Sequence, residues 1–330
     1  MLMTTKNTFS QVVDASVRAI YDQAILDQSS RLYAKNLGFT EYEPDVPNDQ
    51  ISSISGPGRG RLTVEGQVYG ANEKYKGYPV TLRMDKYTSE LSWTEEDMHW
   101  IQKSPSSKRV MEVKQMAVDA VNALNQNINE AICKVFYLGH GTTNLTGGDG
   151  KALYALDHTI RKTGGSQANT FPSGDTHRAF GPTALSDAIS IMNRFKGMND
   201  IQMLPVRRLR IFHSVELQPT VIQTLVSLYG PTNNNLGKQV GSKDFLSYRG
   251  IDIDNVVLPD VPYAYRNYWF LVDMDRAAQM MFYAKGWDPR MNDVTRYDKG
   301  QFANEASAFF GWVFNSWQWT FSSKGDGTTI

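Results

Sequence analysis

Cysteine is nearly absent from this chain. Its 330 residues include one, Cys133. A single thiol excludes an intramolecular disulfide framework and any cysteine-based zinc cluster. On the apolar side of a predicted helix, it reads as a small buried hydrophobe. Excess charge is also lacking: 34 basic residues match 34 acidic ones. A protein that lives by neutralising phosphates usually carries a basic surplus or stripe, so nucleic-acid binders are demoted. No apolar run is long enough to span a membrane, and no signal-peptide pattern opens the sequence. The expectation is no membrane and a chain that stays in the cytoplasm where it is made.

Catalytic motifs are scarce in the same way. The five histidines, His99, His140, His158, His177 and His213, form neither a His-Glu-x-x-His motif nor a His-x-His pair. The runs Gly56–Gly60 and Gly147–Gly150 lack the strand–loop–helix setting and the Gly-Lys-Ser/Thr ending of a phosphate loop. No Gly-x-Ser-x-Gly elbow occurs. The acids Glu95, Glu96 and Asp97 follow Thr94 and fit a helix first turn better than acid–base work. His158 follows Asp157 and is expected to order a turn. The expectations are no enzyme activity, no cofactor and no metal.

What is present is a sequence of elements. Phe9, Val13, Val17, Ile20 and Ala24 make a helical stripe within 9–35. A breaker-rich stretch with Pro44, Pro47 and Gly56–Gly60 reads as an extended arm. The period then changes. Leu62 and Val64 alternate with polar neighbours, as do Val80, Leu82 and Met84, with a polar segment at Gly70–Gly77 between them. This predicts a long two-stranded ribbon with little core of its own, which needs a partner to lie on.

The longest helix is predicted from Lys108 to Leu138. Apolar residues at Val110, Val113, Ala117, Val121, Leu124, Ile128, Ile132 and Val135 step by three or four without proline or glycine. Such a helix is a strut roughly 46 Å long that packs along a sheet. Gly139 is expected to be its C-terminal glycine cap. A helix over 184–196, a strand at Arg208–Phe212 and a helix capped by Ser214 and ending at Gly230 make a compact α/β unit. Strands are expected at Ile251–Leu258, Tyr268–Val272, Gln279–Ala284 and Ala308–Phe321. In that last stretch 310, 312 and 314 share one face, as do 317, 319 and 321; they read first as a sheet face in the core, and because both faces carry aromatics, some are candidates to meet a neighbour. Arg207, Arg208 and Arg210 read as a solvated edge or as inter-subunit ion pairs.

The order of these elements resembles that of tailed-phage major capsid proteins of the Hong Kong phage fold, and most nearly the major head subunits of Mu-like phages. The similar stretches are Gly148–Tyr154 through His158, Leu185–Phe195 followed by Met203-Leu204-Pro205, and Asn233-Asn234-Asn235-Leu236-Gly237. Tyr268–Asp273 and Phe310-Gly311-Trp312 complete the set. The resemblance implies an α+β fold. It would have an N-terminal helix and arm over 1–54 and an E-loop hairpin over 55–92. A P domain would cover 93–180 and 277–310 with a spine helix at 107–138. An α/β axial (A) domain would cover 181–276 and 311–330. It implies pentamers and hexamers tiling an icosahedral virion shell, assembled in the host cytoplasm around weakly and non-specifically contacted DNA. Portal and decoration proteins are implied partners. No N-terminal scaffolding segment is expected here, which implies either a separate scaffolding protein or a chain in mature form. Inter-subunit contact candidates are Arg59, Arg61, Lys74, Tyr75, Lys76, Tyr78, Arg207 and Arg208. Deleting 66–78 is expected to leave a folded protein that forms no shells. Alternatives are an encapsulin-type compartment shell and, behind it, an enzyme of unknown type.

Overall fold

The computed structural model describes residues 37–46, 48–55, 75–94, 96, 108–142, 145–171, 178–229, 251–291, 295–296 and 301–325. The predicted helix within 9–35, the glycine-rich stretch 56–60, Leu62, Val64, the Asn-rich loop and Arg59, Arg61 and Lys74 lie outside them. So do Glu95 and Asp97. Glu96, between them, is helical.

Four strands open the described chain: β1 (Thr40–Tyr42), β2 (Gln50–Ser55), β3 (Tyr75–Thr81) and β4 (Asp85–Thr94). Helix α1 (Lys108–Tyr137) follows, then the short pair β5 (His158–Thr159) and β6 (Ser166–Gln167). Next come α2 (Pro182–Met192), β7 (Arg208–Ser214), α3 (Gln218–Tyr229), β8 (Asp252–Leu258) and β9 (Trp269–Asp273). The chain closes with α4 (Met274–Met280), β10 (Met281–Met291), β11 (Thr295–Arg296), β12 (Gln301–Phe314) and β13 (Thr320–Ser323). The fold is α+β.

β12 is the central strand of the first sheet. β10 flanks it antiparallel, β4 pairs with it through ten consecutive residues from Gln301↔Thr94 to Phe310↔Asp85, and β1 lies parallel to β10. The second sheet has the order β13-β9-β7-β8, with only β7 and β8 parallel. That parallel pair spans the crossover that carries α3. β2 and β3 form a separate antiparallel ribbon.

α1 forms because its stripe is uninterrupted, and it buries that stripe on β4 and β12. Ala117, Val121, Leu124, Ile128, Ile132 and Phe136 are all fully buried, and so is Cys133. One hydrophobic cluster runs from this helix through both sheets. Thirty residues at 1.5 Å per residue give a strut roughly 45 Å long.

Several expectations are corrected. Gly139 is not in the left-handed conformation of a glycine cap. A Cβ there would come within 2.7 Å of the Tyr154 ring and of the Val135 carbonyl, so close packing is what requires glycine. The alternation at Val80, Leu82 and Met84 does not continue one strand, because β3 stops at Thr81. Residues 82–84 cross over β12 so tightly that a Cβ at Gly311 would lie 2.2 Å from the Arg83 carbonyl. The ribbon partner of β3 is β2, a stretch read as arm. The aromatic tail is not one strand. It breaks at 315–319 and passes from the first sheet to the second, so 317, 319 and 321 do not share a strand face. Phe310, Trp312, Phe314, Trp317, Trp319 and Phe321 are all buried in the chain's own core. α4 was not foreseen. It is set by Asp273, whose carboxylate accepts from the backbone N–H groups of Asp275 and Arg276.

Candidate assembly surface

The β2–β3 ribbon pairs with no other strand among the described residues. Its register runs Gln50↔Thr81, Ile51↔Val80 and Ser52↔Pro79, then slips before Ile54↔Lys76 and Ser55↔Tyr75. Ser53 thus faces two residues, Gly77 and Tyr78, which is a β-bulge on β3. A Cβ on Gly77 would lie 2.0 Å from Ser53 Oγ, so any larger residue there would force the Ser53 side chain to turn away. Pro79 offers no N–H, which suits a strand with an unpaired outer edge.

The near end of the ribbon rests on the chain's own body, contrary to the expectation that little of it could. Val80 and Leu82 pack with Ala284 and Val313 in a small second cluster. Gly148 is pressed against Tyr78 and Pro79, where a Cβ would meet Tyr78 Cβ and the Pro79 carbonyl at 2.7 Å. Arg161 Nη1 donates to the carbonyls of Lys76 at 3.0 Å and Gly77 at 2.6 Å. The Arg161 guanidinium lies 5.6 Å from the Tyr78 ring centre and Lys162 Nζ 5.0 Å from that of Tyr75. Of the foreseen contact residues, Tyr75 and Tyr78 therefore face cations of the same chain, while Lys76 and Arg207 point to solvent. Arg208 is exposed and lies 3.4 Å from Asp275. Arg210 reaches the Leu37 carbonyl at 2.9 Å and lies 3.5 Å from Asp254. Among the described residues, Arg208 is engaged by Asp275 whereas Tyr75 and Tyr78 are engaged by Lys162 and Arg161, so the two groups are held separately.

β4 is the second open feature. One edge pairs along its full length with β12, and the other edge pairs with no strand among the described residues. Lys86, Thr88, Glu90, Ser92 and Thr94 alternate outward on it, with Lys86 bonded to Glu305 at 2.7 Å. A long edge strand is a template for pairing, and outward charge is the usual guard against pairing without selection.

Beneath the ribbon lies an arrangement with a catalytic look. His158 does not pair with Asp157, which bonds to Lys151 instead. Its Nδ1 meets Asp149 Oδ2 at 2.7 Å and its Nε2 meets the Leu153 carbonyl at 3.2 Å. The ring is fully buried and stacks on Trp317 at 4.4 Å and 11°. Burial alone would push the Asp149 carboxyl up. The hydrogen bond and charge of His158, with the Lys151 N–H, outweigh it and leave that carboxyl below the usual carboxylate range. Both ring nitrogens are taken up by oxygens of the chain's own loop, Asp149 Oδ2 and the Leu153 carbonyl, so the ring serves to hold that loop closed. This pair closes the Gly147–Gly150 loop and so forms the floor under Tyr78. The sequence signal for it was the glycine-rich run itself, whose Asp149 lies nine residues before His158.

In outline the chain is similar to phage capsid and head proteins. Against the capsid of Myoviridae phage XM1 the identity is 12%, covering 88% of this chain and 91% of that one, with a TM-score of 0.47. Against the head of Helicobacter pylori bacteriophage KHP40 it is 8%, covering 87% and 86%, with a TM-score of 0.49. A virus-like particle from Pyrococcus furiosus gives 10%, 94%, 99% and 0.44. No family model matches the sequence, and no curated protein does. At such identities and scores, the chain's own geometry has to carry a functional reading.

Proposed function

We propose that the chain is the major capsid protein of a tailed phage, a subunit that assembles with copies of itself into an icosahedral shell around double-stranded DNA. The observation that carries this is the ribbon. Beyond its seat on Gly148 and Arg161 it is two strands with no further strand partner among those described, and an isolated hairpin is marginal in water. Laying it on a neighbouring copy gives it a surface, and the unpaired edge of β4 offers a second point of strand addition. The buried core is already filled by the chain itself, so the ribbon and edges are what remains for neighbours. Many weak contacts of this kind suffice when closed symmetry multiplies them.

In this reading the β2–β3 ribbon belongs to the E-loop proposed at 55–92, with β2 counted in, while β4 runs on into the first sheet. α1 is the spine of a P domain, and 181–276 with 311–330 form the axial domain. Lys76, Arg207 and Arg208, together with Arg59, Arg61 and Lys74, supply inter-subunit contacts. Tyr75 and Tyr78 serve the ribbon's own seat first. Pentamers and hexamers, separate scaffolding, portal and decoration proteins, weak DNA contact and a place in the virion belong to the same proposal, as does kinship with Mu-like head subunits.

Negative-stain images of the purified chain test it. Hollow megadalton particles are expected, and a small discrete oligomer would overturn the reading. DNA inside particles from infected or induced cells supports a phage head, whereas packaged protein supports a compartment shell. The informative deletion is also shifted by the structure. Removing 66–78 would take half of β3 and the acceptors of Arg161 with it. Replacing 56–74 by a two-residue Asn-Gly turn keeps β2, β3 and their seat, and is expected to give a folded protein that makes no particles.

A further inference from the structure

The ribbon's bulge and the hairpin turn beside it form a single device. β5 and β6 pair as His158↔Gln167 and Thr159↔Ser166, which presents the turn between them next to β3. The turn is tied at its own base: Ile160 N–H donates to Gly165 O at 2.8 Å, and Gly164 N–H returns to Ile160 O at 2.8 Å. Gly164 takes a φ of 68°, a conformation that favours glycine. Lys162 N–H is bonded to Met198 O at 3.1 Å, so the turn is fixed to the body as well. From this rigid mount, Arg161 reaches the two carbonyls at the bulge, Lys76 O and Gly77 O, while Lys162 covers Tyr75.

A bulge is where a ribbon bends and twists most easily, because its ladder is interrupted there. Ser53 Oγ, directly opposite, is buried without a hydrogen-bond partner, so the bulge is not held by its own side chains. We infer that Arg161 is a latch. It fixes the bend of the β2–β3 ribbon by capping two carbonyls at the bulge, and its release lets the ribbon re-aim about Gly77. The Arg161 side chain is on the surface, so a neighbouring acidic or backbone acceptor can compete for it. The latch is a property of the single chain; that re-aiming the ribbon alters shell geometry rests on the function proposed above.

Hydrogen exchange on the unassembled full chain separates the two. In Arg161→Ala, amides of 75–81 are expected to exchange about tenfold faster, while those of 117–137 stay unchanged. Unchanged protection in 75–81 overturns the latch, whether or not shells form. If Arg161→Ala also loosens 117–137, Arg161→Lys carries the same two readings. It keeps the charge, but its ammonium falls one bond short of the place from which Nη1 donates to both carbonyls. Particle imaging of the same variants then reports on the shell reading separately. Faster exchange with normal particles leaves the latch standing and removes its role in assembly.

Discussion

Arg276 is almost entirely buried, and its guanidinium is shared among four partners, Asp273 at the start of its own helix and three carbonyls on other segments. It lies 3.0 Å from Asp273 and donates to the carbonyls of Met192 at 3.3 Å, Gln318 at 3.2 Å and Leu204 at 2.6 Å. Burial pushes the Asp273 carboxyl up and the Arg276 guanidinium down, so desolvation opposes the charged form of both partners. Removing one partner is then worse than never having had the pair. Arg276→Met should cost about 3–5 kcal/mol in denaturant unfolding, because a buried carboxylate and three carbonyls lose their donor. An unchanged midpoint would show that the carbonyls find other donors. His213 makes a pH-dependent counterpart. Its Nδ1 donates to the Ser214 carbonyl at 2.7 Å, and its Nε2 faces the Asn255 amide nitrogen at 3.4 Å, which suits a neutral ring. Burial lowers its folded-state pKa. The unfolded chain therefore takes up a proton near pH 6.5 while the folded one resists. This contribution to stability is whole above about pH 6.5 and falls as pH drops below it. Melting temperatures from pH 7.5 to 5 should decline in the wild type and decline less in His213→Asn. Equal slopes would assign the decline to other groups.

Among the elements, α1 shows what a sequence can disclose and why. Its stripe from Ala117 to Val135 repeats locally, so the helix and its buried face were both readable, ending one residue from the expected position. β7, β8 and β9 were readable for a similar reason, being short apolar or β-branched runs between breakers. The ribbon pairing was not. Gln50–Ser55 has only Ile51 and Ile54 to mark it, and its choice of β3 depends on residues twenty or more positions away. The break in the aromatic tail was hidden because Trp317 and Trp319 are as apolar as the strands beside them. Only the packing of Trp317 on His158, and of Trp319 against Phe39 and Phe136, reveals a turn. The Asp149–His158 bond escaped because adjacency pointed to Asp157. Two substitutions probe the α1 end. Leu124→Ala should cost about 2–5 kcal/mol, as for other fully buried leucines. Gly139→Ala should also destabilise, by about 1–3 kcal/mol, since its Cβ would meet the Tyr154 ring and the Val135 carbonyl. A neutral Gly139→Ala would mean that Tyr154 can withdraw.

For the molecule as a whole, the question is whether two sheets mean two units. β12 closes the first sheet and, five residues later, β13 opens onto an edge of the second. Phe39 touches Phe136 on α1, Phe212 in the second sheet, Trp312 in the first and Trp319 in the turn between them. Arg276 adds polar ties across the same junction. A single hydrophobic cluster includes residues from both sheets and from α1, so neither sheet can unfold without exposing the apolar face of the other. The P and A divisions of the proposed capsid subunit would then be geometric regions of one cooperative body, hinged to the ribbon and not to each other. Thermal unfolding of the unassembled chain should accordingly be a single transition, coincident by far-ultraviolet and near-ultraviolet circular dichroism. Phe39→Ala should lower its midpoint without splitting it. Two separated transitions in the wild type would instead mean that the junction is weak, and that a shell built from such subunits could change shape within each subunit as well as between subunits.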